Sequence, residues 1–339
     1  NLYQQQQQQE NSVPQKPVRQ NLDQKQPQQE KAVPQKSARQ NPEAQQKEKK
    51  KAGQKKPGKE NLTLLIGLPN GPSSFAILIG AMKCGTTSLY ASLVNHPVIC
   101  PCTEKEPGYF TNLDLPLADY NEDIFQGYQS LWPTWDSKIH QFAIEASTSY
   151  SKCPDFPNAA QRIKRLKKLT GAKFKLIYVI RDPVALATSF YRHAMTDINW
   201  GKHTVKKLLA DGKLARGLRV ICSYAKQLVF YHNNFGRDDI LIVHFEDMVH
   251  HSETTLADIY RFLGLDMGAA LDSKLIHTHS SKKRVTDFFE NHSEHVYPGL
   301  TPEKMLAWEL SDNHKKQIRN WLQDDIRILI DKYNIDTSH

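Results

Sequence analysis

The chain has 339 residues, a formal net charge of +9 and 39% hydrophobic residues. This length suits one large α/β domain, and no stretch is apolar for long enough to cross a membrane. Residues 1–60 hold 13 Lys or Arg and 6 Asp or Glu, so they carry +7 of the net charge. The basic character therefore belongs mainly to this segment, and it does not indicate a nucleic-acid-binding surface on residues 61–339.

Residues 1–60 are rich in Gln, Lys, Pro and Glu and almost devoid of aliphatic and aromatic side chains. Such a composition cannot bury enough apolar surface to offset chain entropy, which predicts a disordered stem or tail. Two similar units, at 8–21 and 28–41, repeat with a period of 20 residues but have no hydrophobic face. A solvated spacer is the favoured role, and a basic arm for an acidic polymer, a membrane surface or nucleic acid is the alternative.

Strands alternate with helices after this segment. The apolar β-forming runs predict strands at 75–80, 98–100, 141–145, 173–180 and 239–243. The helical patterns predict helices at 87–95, 158–169, 184–195, 218–235, 254–263, 303–310 and 314–333. Alternation of this kind predicts an α/β fold, with a central parallel sheet flanked by helices in three layers. Ligands of such folds bind beyond the carboxyl ends of the strands.

A candidate phosphate-binding turn follows the first strand. The sequence Gly80-Ala-Met-Lys83-Cys-Gly85-Thr-Thr-Ser88 leads into a helix, and a helix N-terminus presents free N–H groups and a favourable dipole to an anion. It is not the standard G-x-x-x-x-G-K-[ST] loop, because Lys83 precedes Gly85 by two residues. An incidental lysine at an ordinary strand–turn–helix joint is the alternative. The residues predicted to bind phosphate are Lys83, Cys84, Gly85, Thr86, Thr87 and Ser88.

A second candidate anion site follows the strand at 173–180. Arg181-Asp182-Pro183 opens a helix in which Asp182 suits the N-cap and Pro183 the first turn. Arg181 then lies at the carboxyl edge of the sheet, where its fork of donors matches a phosphate dianion. Ser189 lies two turns into the helix. A solvated arginine beside a capping Asp-Pro is the alternative interpretation.

Together, the two motifs resemble the 5′-phosphosulfate and 3′-phosphate motifs of sulfotransferases that use 3′-phosphoadenosine 5′-phosphosulfate (PAPS). The resemblance extends over roughly residues 75–335. It implies a P-loop-like fold, PAPS as cofactor, adenosine 3′,5′-bisphosphate as product, and no metal. We therefore expect residues 61–339 to form a sulfotransferase domain behind the stem.

Another segment narrows the resemblance to carbohydrate sulfotransferases. Lys105-Glu106-Pro-Gly-Tyr-Phe110 is similar to the Lys-Glu-x-x-Phe-Phe segment of the glycosaminoglycan enzymes. This similarity implies that Glu106 is the base for a sugar hydroxyl and that Lys83 supplies positive charge to the bridging oxygen. A surface glutamate paired with Lys105 is the alternative for Glu106, and Glu145 is the reserve base. The implied acceptor is a carbohydrate, an acidic polysaccharide.

The sequence departs from the carbohydrate-enzyme pattern at two places. Gly108 stands where relatives often have His, and Ala146 stands where many have Lys. The late glycine-containing nucleotide segment of the cytosolic enzymes is absent, and its nearest equivalent is Lys282-Lys283-Arg284. These three residues are candidates for closing over the nucleotide, and a basic surface turn is the alternative.

Two rival functions follow from the same residues. A P-loop kinase or NTPase lacks support, because no Gly-Lys-Ser/Thr end and no persuasive Mg²⁺-binding partner are present. A nucleotide- or polysaccharide-binding protein without catalysis is the other rival, and the presence of both Lys83 and Glu106 argues against it.

The sequons at Asn61 and Asn291 favour the secretory pathway, and hence the Golgi lumen. Because the chain begins with Asn1, we expect any membrane attachment to depend on an N-terminal anchor that these residues lack. Cys153 has Cys100, Cys102 and Cys222 as alternative disulfide partners.

Overall fold

The computed structural model describes residues 70–111, 115–198, 201–266, 275–276 and 281–337. The predicted stem at 1–60 and the sequon at Asn61 lie outside these residues. Within them, the sheet consists of β1 (Ser74–Gly80), β2 (Ile99–Pro101), β3 (Phe142–Ala146), β4 (Lys173–Ile180) and β5 (Ile240–His244). The strand order is β2-β3-β1-β4-β5, and all four neighbouring pairs are parallel. The predicted parallel sheet is confirmed, and each strand lies within one residue of its expected limits.

Helices flank this sheet. In the described part of the chain they are α1 (Thr86–Leu93), α2 (Glu122–Gln129), α3 (Ala159–Thr170), α4 (Pro183–Ala194), α5 (Gly201–Asp211), α6 (Arg216–Cys222), α7 (Tyr224–His232), α8 (Phe245–His250), α9 (Ser252–Leu263), α10 (Ser281–Asn291), α11 (Pro302–Ala307) and α12 (Asp312–Tyr333). The sequence did not predict α2, α5, α8 and α10. The basic segment at 282–284 lies in the first turn of α10, so its interpretation as a surface turn is wrong.

The single helix predicted at 218–235 is also wrong, because the chain breaks at Ser223 into α6 and α7. Ser223 has φ −86° and ψ 73°, outside the helical region. The carboxylate of Asp325, which is buried on α12, accepts hydrogen bonds from the backbone N–H groups of Ala225 at 2.9 Å and Lys226 at 3.1 Å. A carboxylate about a hundred residues away in sequence thus caps the start of α7, which local periodicity cannot reveal.

The position of β1 in the sheet determines where a site can form. Six of its seven residues are fully buried, which stabilises the strand by roughly 1.5–3 kcal/mol for each large aliphatic side chain. At the opposite end from the site, the ring of Phe75 stacks on that of Phe174 in β4 with centroids 5.0 Å apart. Because β1 lies between β3 and β4, the loops that follow these three strands meet at one edge of the sheet.

Candidate active site

A cavity of about 880 Å³ opens at this edge. Its lining includes more positive than negative side chains, which favours an anionic ligand. The positive side chains are Lys83, Lys152, Arg181, Arg192, Arg284, Lys315 and Arg319. The negative side chains are Glu106, Asp182 and Glu309.

The turn after β1 has the geometry of an anion-binding nest. Lys83 has φ +67° and Gly85 has φ +77°, left-handed conformations of the kind found in anion-binding nests, and between them the Cys84 N–H donates to the Ala81 carbonyl oxygen at 3.2 Å. At Gly85 an added Cβ would lie 2.9 Å from the ring of Phe245, and only glycine fits there. No side chain caps the N-terminus of α1. The first turn of α1 lies at the cavity, since Thr86, Thr87 and Ser88 line it, and a helix N-terminus favours an anion.

Lys83 is a cation in an unfavourable environment. Burial and, after it, the positive charges of Arg284 and Arg181 lower its pKa from 10.5 to about 8, and the negative charge of Glu106 opposes this. A lysine in such surroundings gains most from an anion in the cavity, because the anion would offset both the desolvation and the repulsion.

Arg181 is oriented by contacts on several sides. Its Nη1 donates to the backbone carbonyl oxygen of Lys83 at 3.4 Å, and its guanidinium lies 4.2 Å from the centroid of the Phe245 ring. The hydroxyl of Tyr224 donates to the Arg181 carbonyl oxygen at 2.9 Å. Asp182 caps α4 by accepting from the N–H of Ala185 at 2.7 Å, as the sequence predicted. α4 thereby begins at the cavity wall.

Glu106 reaches the same cavity from the loop after β2. Its Oε1 accepts from Lys105 Nζ at 2.7 Å and its Oε2 accepts from Thr148 Oγ1 at 3.0 Å. Burial alone would raise its pKa, but the hydrogen bonds from Lys105 and Thr148 and the positive charges of Lys105 and Lys152 together lower that pKa below its ordinary value. The carboxylate is therefore ionised near neutral pH. The pair with Lys105 exists, but Glu106 also lines the cavity, so it is more than a surface glutamate.

The structure brings most of the predicted site residues together in the lining of the cavity. These residues are Lys83, Gly85, Thr86, Thr87, Ser88, Glu106, Arg181, Ser189 and Arg284. Three predicted contributors do not line it. The thiol of Cys84 is buried, lies 3.8 Å from the Tyr224 hydroxyl, and has a pKa raised by burial to about 12. Lys282 and Lys283 are exposed on α10.

Glu145 does not reach the cavity either. It is fully buried within β3, and hydroxyl groups surround its carboxylate. The interpretation of Glu145 as a reserve base is therefore corrected, because an enclosed carboxylate cannot contact an acceptor hydroxyl.

Several cavity residues were not found from the sequence. His193 lies on α4, four residues after Ser189, and burial, Lys83 and Arg284 together lower its pKa to about 4. Its imidazole is therefore neutral at physiological pH. Lys315 and Arg319 line the cavity from α12. A spacing of four residues places each pair on one helix face, but the sequence does not show which face meets the site.

The described residues fit a nucleotide with anionic groups at two ends. Among the described residues, the buried Nε atoms of Arg181 and Arg284 and the Nδ1 of His193 have no hydrogen-bond partner. Such groups are costly to bury unless a ligand satisfies them. Across the described ranges, no three His, Cys, Asp or Glu side chains form a group that could hold a metal ion.

Two further findings concern the rest of the described chain. No helix within it is long and apolar enough to span a membrane. All five cysteines are free thiols, so the disulfide alternatives for Cys153 are excluded by the structure.

Comparison with known proteins identifies the family. Residues 76–268 match the model of the sulfotransferase family. This match covers more than half of the chain, and the chain belongs to the sulfotransferase family, a class of enzymes. The sequence-based identification of the family is thereby confirmed.

Curated relatives match over part of their length. The bifunctional heparan sulfate N-deacetylase/N-sulfotransferase 4 of Mus musculus is 25% identical over 210 residues, which are 56% of this chain and 22% of that protein. The membrane-associated sulfotransferase kil1 of Dictyostelium discoideum is 33% identical over 138 residues, which are 41% of this chain and 25% of that protein. The chain thus spans about a quarter of the length of these relatives or less.

A solved structure supports the fold. The sulfotransferase from Alicyclobacillus acidocaldarius superposes with a TM-score of 0.54 at 20% identity, over 78% of this chain and 96% of that one. The predicted P-loop-like sandwich is therefore confirmed at the level of the fold.

Proposed function

We propose that this chain transfers a sulfuryl group from PAPS to a hydroxyl group of a carbohydrate. One observation carries the proposal: Lys83, Arg181 and Glu106 line a single cavity although they follow three different strands. A phosphate nest, a second anion site and an ionised carboxylate are the groups that sulfuryl transfer to an alcohol requires. The sulfotransferase domain comprises residues 61–339, behind a stem at 1–60.

The two anion sites suit the two ends of the donor. The first turn of α1 and Lys83 would hold the 5′-phosphosulfate, and Arg181 and Ser189 would hold the 3′-phosphate. Arg284 approaches from α10 and adds a positive charge close to Lys83. PAPS supplies an activated sulfuryl group when it is bound. The chain supplies fixed positive charge, which stabilises the negative charge that develops on the bridging oxygen.

Glu106 is the proposed base. The acceptor oxygen forms a bond to sulfur as the bond from sulfur to the bridging oxygen breaks, and the hydroxyl proton passes to Glu106. Adenosine 3′,5′-bisphosphate leaves with the electron pair, and Lys83 neutralises its charge. A lowered pKa keeps Glu106 ready to accept the proton near pH 7. His193 is a second candidate base, since its neutral ring lines the same cavity.

The proposed acceptor is an acidic polysaccharide. The excess of positive charge in the cavity supports this, and Lys152 contributes to it on the Glu106 side. The names of two relatives, in mouse and human, refer to heparan sulfate. Because those names also refer to N-sulfotransferase activity, an amine on the same sugar class is the second candidate acceptor. An acceptor of this kind and the exposed sequon at Asn291 support a location in the secretory pathway, in the Golgi lumen.

A transfer assay tests the proposal. Purified protein is incubated with ³⁵S-labelled PAPS and a panel of polysaccharides that carry free hydroxyl or free amino groups. Lys83→Ala should lower kcat by about a hundredfold or more, because Lys83 acts mainly on the transition state. Glu106→Gln should leave binding of adenosine 3′,5′-bisphosphate unchanged and abolish transfer to hydroxyls. Lys282→Ala and Glu104→Gln are matched controls, since both residues are exposed and neither lines the cavity. Transfer that survives both site variants would contradict the assignment.

A further inference from the structure

A buried carboxylate lies directly behind the loop that carries Glu106. Glu145 on β3 is 0% exposed and accepts hydrogen bonds from three hydroxyl groups. The donors are Tyr128 at 2.9 Å, Ser147 at 2.9 Å and Tyr150 at 3.0 Å. Enclosing a carboxylate so completely is unfavourable, and the three hydrogen bonds offset part of that cost. The mechanism described above gives this cluster no role.

Two of the three hydroxyl groups also contact the loop. Ser147 Oγ accepts from the backbone N–H of Gly108 at 3.0 Å, and the Tyr150 hydroxyl accepts from the backbone N–H of Phe110 at 3.4 Å. A hydroxyl group has one proton and two lone pairs. Because Glu145 receives the proton of each hydroxyl, the lone pairs are left to face the loop. The carboxylate thus orients both hydroxyl groups so that each accepts a hydrogen bond from a loop amide.

The loop needs such support, because its own backbone is strained. Glu106 has φ +61°, which is uncommon for a residue with a side chain, and Gly108 has φ +60°. The loop is irregular apart from a single 3₁₀ turn at Tyr109–Thr111. A further anchor is Arg162, whose buried guanidinium donates through Nη1 to the Phe110 carbonyl oxygen at 2.9 Å.

We propose that Glu145 is a positioning residue, which orients the hydroxyl groups of Ser147 and Tyr150 so that they hold the Gly108 and Phe110 amides and fix Glu106 at the cavity. The inference rests on the proposed function in so far as Glu106 is the base. The hydrogen-bond network itself is a property of the fold and can be tested without substrate.

Tyr128 and Tyr150 form a matched pair for the test. Each hydroxyl donates to the Glu145 carboxylate, Tyr128 to Oε1 and Tyr150 to both oxygens, and each residue is almost fully buried. Tyr150 also accepts from a loop amide, whereas among the described residues the Tyr128 hydroxyl bonds only to Glu145. Tyr150→Phe and Tyr128→Phe therefore each remove one hydroxyl donor from the carboxylate, but only the first releases the loop. Ser147→Ala releases the other amide.

Two measurements are made on the full chain: amide hydrogen exchange of the segment 104–111 without ligand, and steady-state transfer kinetics. In Tyr150→Phe, Ser147→Ala and Glu145→Gln, exchange at the Gly108 or Phe110 amide should accelerate several-fold. In the same variants kcat should fall by about ten- to a hundredfold, with the KM for PAPS nearly unchanged. Tyr128→Phe should leave both quantities close to those of the wild type. If Glu145→Gln fails to fold, the two tyrosine variants and Ser147→Ala still give the comparison.

Two outcomes would overturn the inference. One is unchanged exchange at both loop amides in Tyr150→Phe and Ser147→Ala. The other is a fall in kcat that is equal in Tyr128→Phe and Tyr150→Phe, which would indicate a general loss of packing. A wild-type protein that binds adenosine 3′,5′-bisphosphate but transfers no sulfuryl group would instead contradict the proposed function. The exchange result would then still decide whether the network holds the loop.

Discussion

Arg181 donates a hydrogen bond from Nη1 to the backbone carbonyl oxygen of Lys83 at 3.4 Å, although the two residues lie 98 positions apart in the sequence. The contact joins the turn after β1 to the start of α4. In the proposed function these are the two anion sites, so one guanidinium both binds the 3′-phosphate and fixes the turn that holds the 5′ end.

Substitution of Arg181 tests this double role. Arg181→Ala and Arg181→Lys should each lower the affinity for adenosine 3′,5′-bisphosphate by about ten- to a hundredfold, because charge-assisted hydrogen bonds contribute about 1.5–3 kcal/mol. Lysine retains the charge but not the planar fork, so it should rescue little. Calorimetry with adenosine 3′,5′-bisphosphate and adenosine 5′-monophosphate measures the preference. The exposed Arg237→Ala is the control. Equal affinities of the wild type for the two nucleotides would refute the assignment.

The lowered pKa of Lys83 predicts a basic limit to activity. Since that pKa is about 8 and the reaction needs the charged form, kcat/KM should fall as the pH rises through about 8. The charge of Arg284 contributes to the lowered pKa of Lys83. Arg284→Gln should therefore shift the fall in kcat/KM to higher pH, whereas Arg284→Lys should leave it at the same pH. Initial rates at subsaturating PAPS between pH 6 and 10 provide the measurement. If the pH at which kcat/KM falls is the same in Arg284→Gln as in the wild type, the fall does not arise from deprotonation of Lys83.

The buried Glu145 predicts a pH-dependent stability. Burial raises its pKa from 4.5 to about 7, although its hydroxyl partners oppose the change. A group with a raised pKa in the folded state contributes most below its unfolded pKa and loses that contribution as the pH rises through its folded pKa. Relative to Glu145→Gln, the wild type should therefore lose about 3 kcal/mol of unfolding free energy between pH 4.5 and 7. Urea unfolding at several pH values measures the difference, and a constant difference would contradict the prediction.

Lys152 should contribute to acceptor recognition. It lines the cavity on the Glu106 side, and its charge affects that carboxylate. Lys152→Gln should raise the KM for an acidic polysaccharide several-fold, with a weaker dependence on salt, and should leave the KM for PAPS unchanged. The exposed Lys138→Gln serves as the control. If Lys152→Gln raises the KM for a neutral oligosaccharide by the same factor, the loss of acceptor affinity is not due to charge recognition.

The segment at 1–60 can be removed to test its predicted role. A chain that starts at residue 61 should keep the melting temperature of the full chain, since the segment lacks the apolar side chains of a core. Differential scanning calorimetry gives the comparison. A fall of many degrees would contradict the prediction of a disordered stem. A salt-dependent loss of affinity for acidic polysaccharide alone would identify the segment as a binding arm rather than a spacer.

The sequence predicted those site residues whose positions follow from the end of a neighbouring strand. Lys83 and Arg181 were found because each follows a buried strand whose hydrophobic run is visible, and parallel strands bring their carboxyl ends together. His193 and Arg319 were missed because they lie in helices whose cavity-facing side depends on tertiary packing. Glu145 was assigned the wrong role for a similar reason, since its burial depends on Tyr128 and Tyr150 closing around it.

The strand order also places the proposed base and the second anion site on opposite sides of β1. Glu106, Thr148 and Lys152 lie on the β3 side of β1, and Arg181 and Ser189 lie on the β4 side. Both departures from the carbohydrate-enzyme pattern, Gly108 and Ala146, lie on the β3 side. A substitution in the loops after β2 and β3 can therefore change the surroundings of the proposed base while Arg181 and Ser189 keep their places after β4.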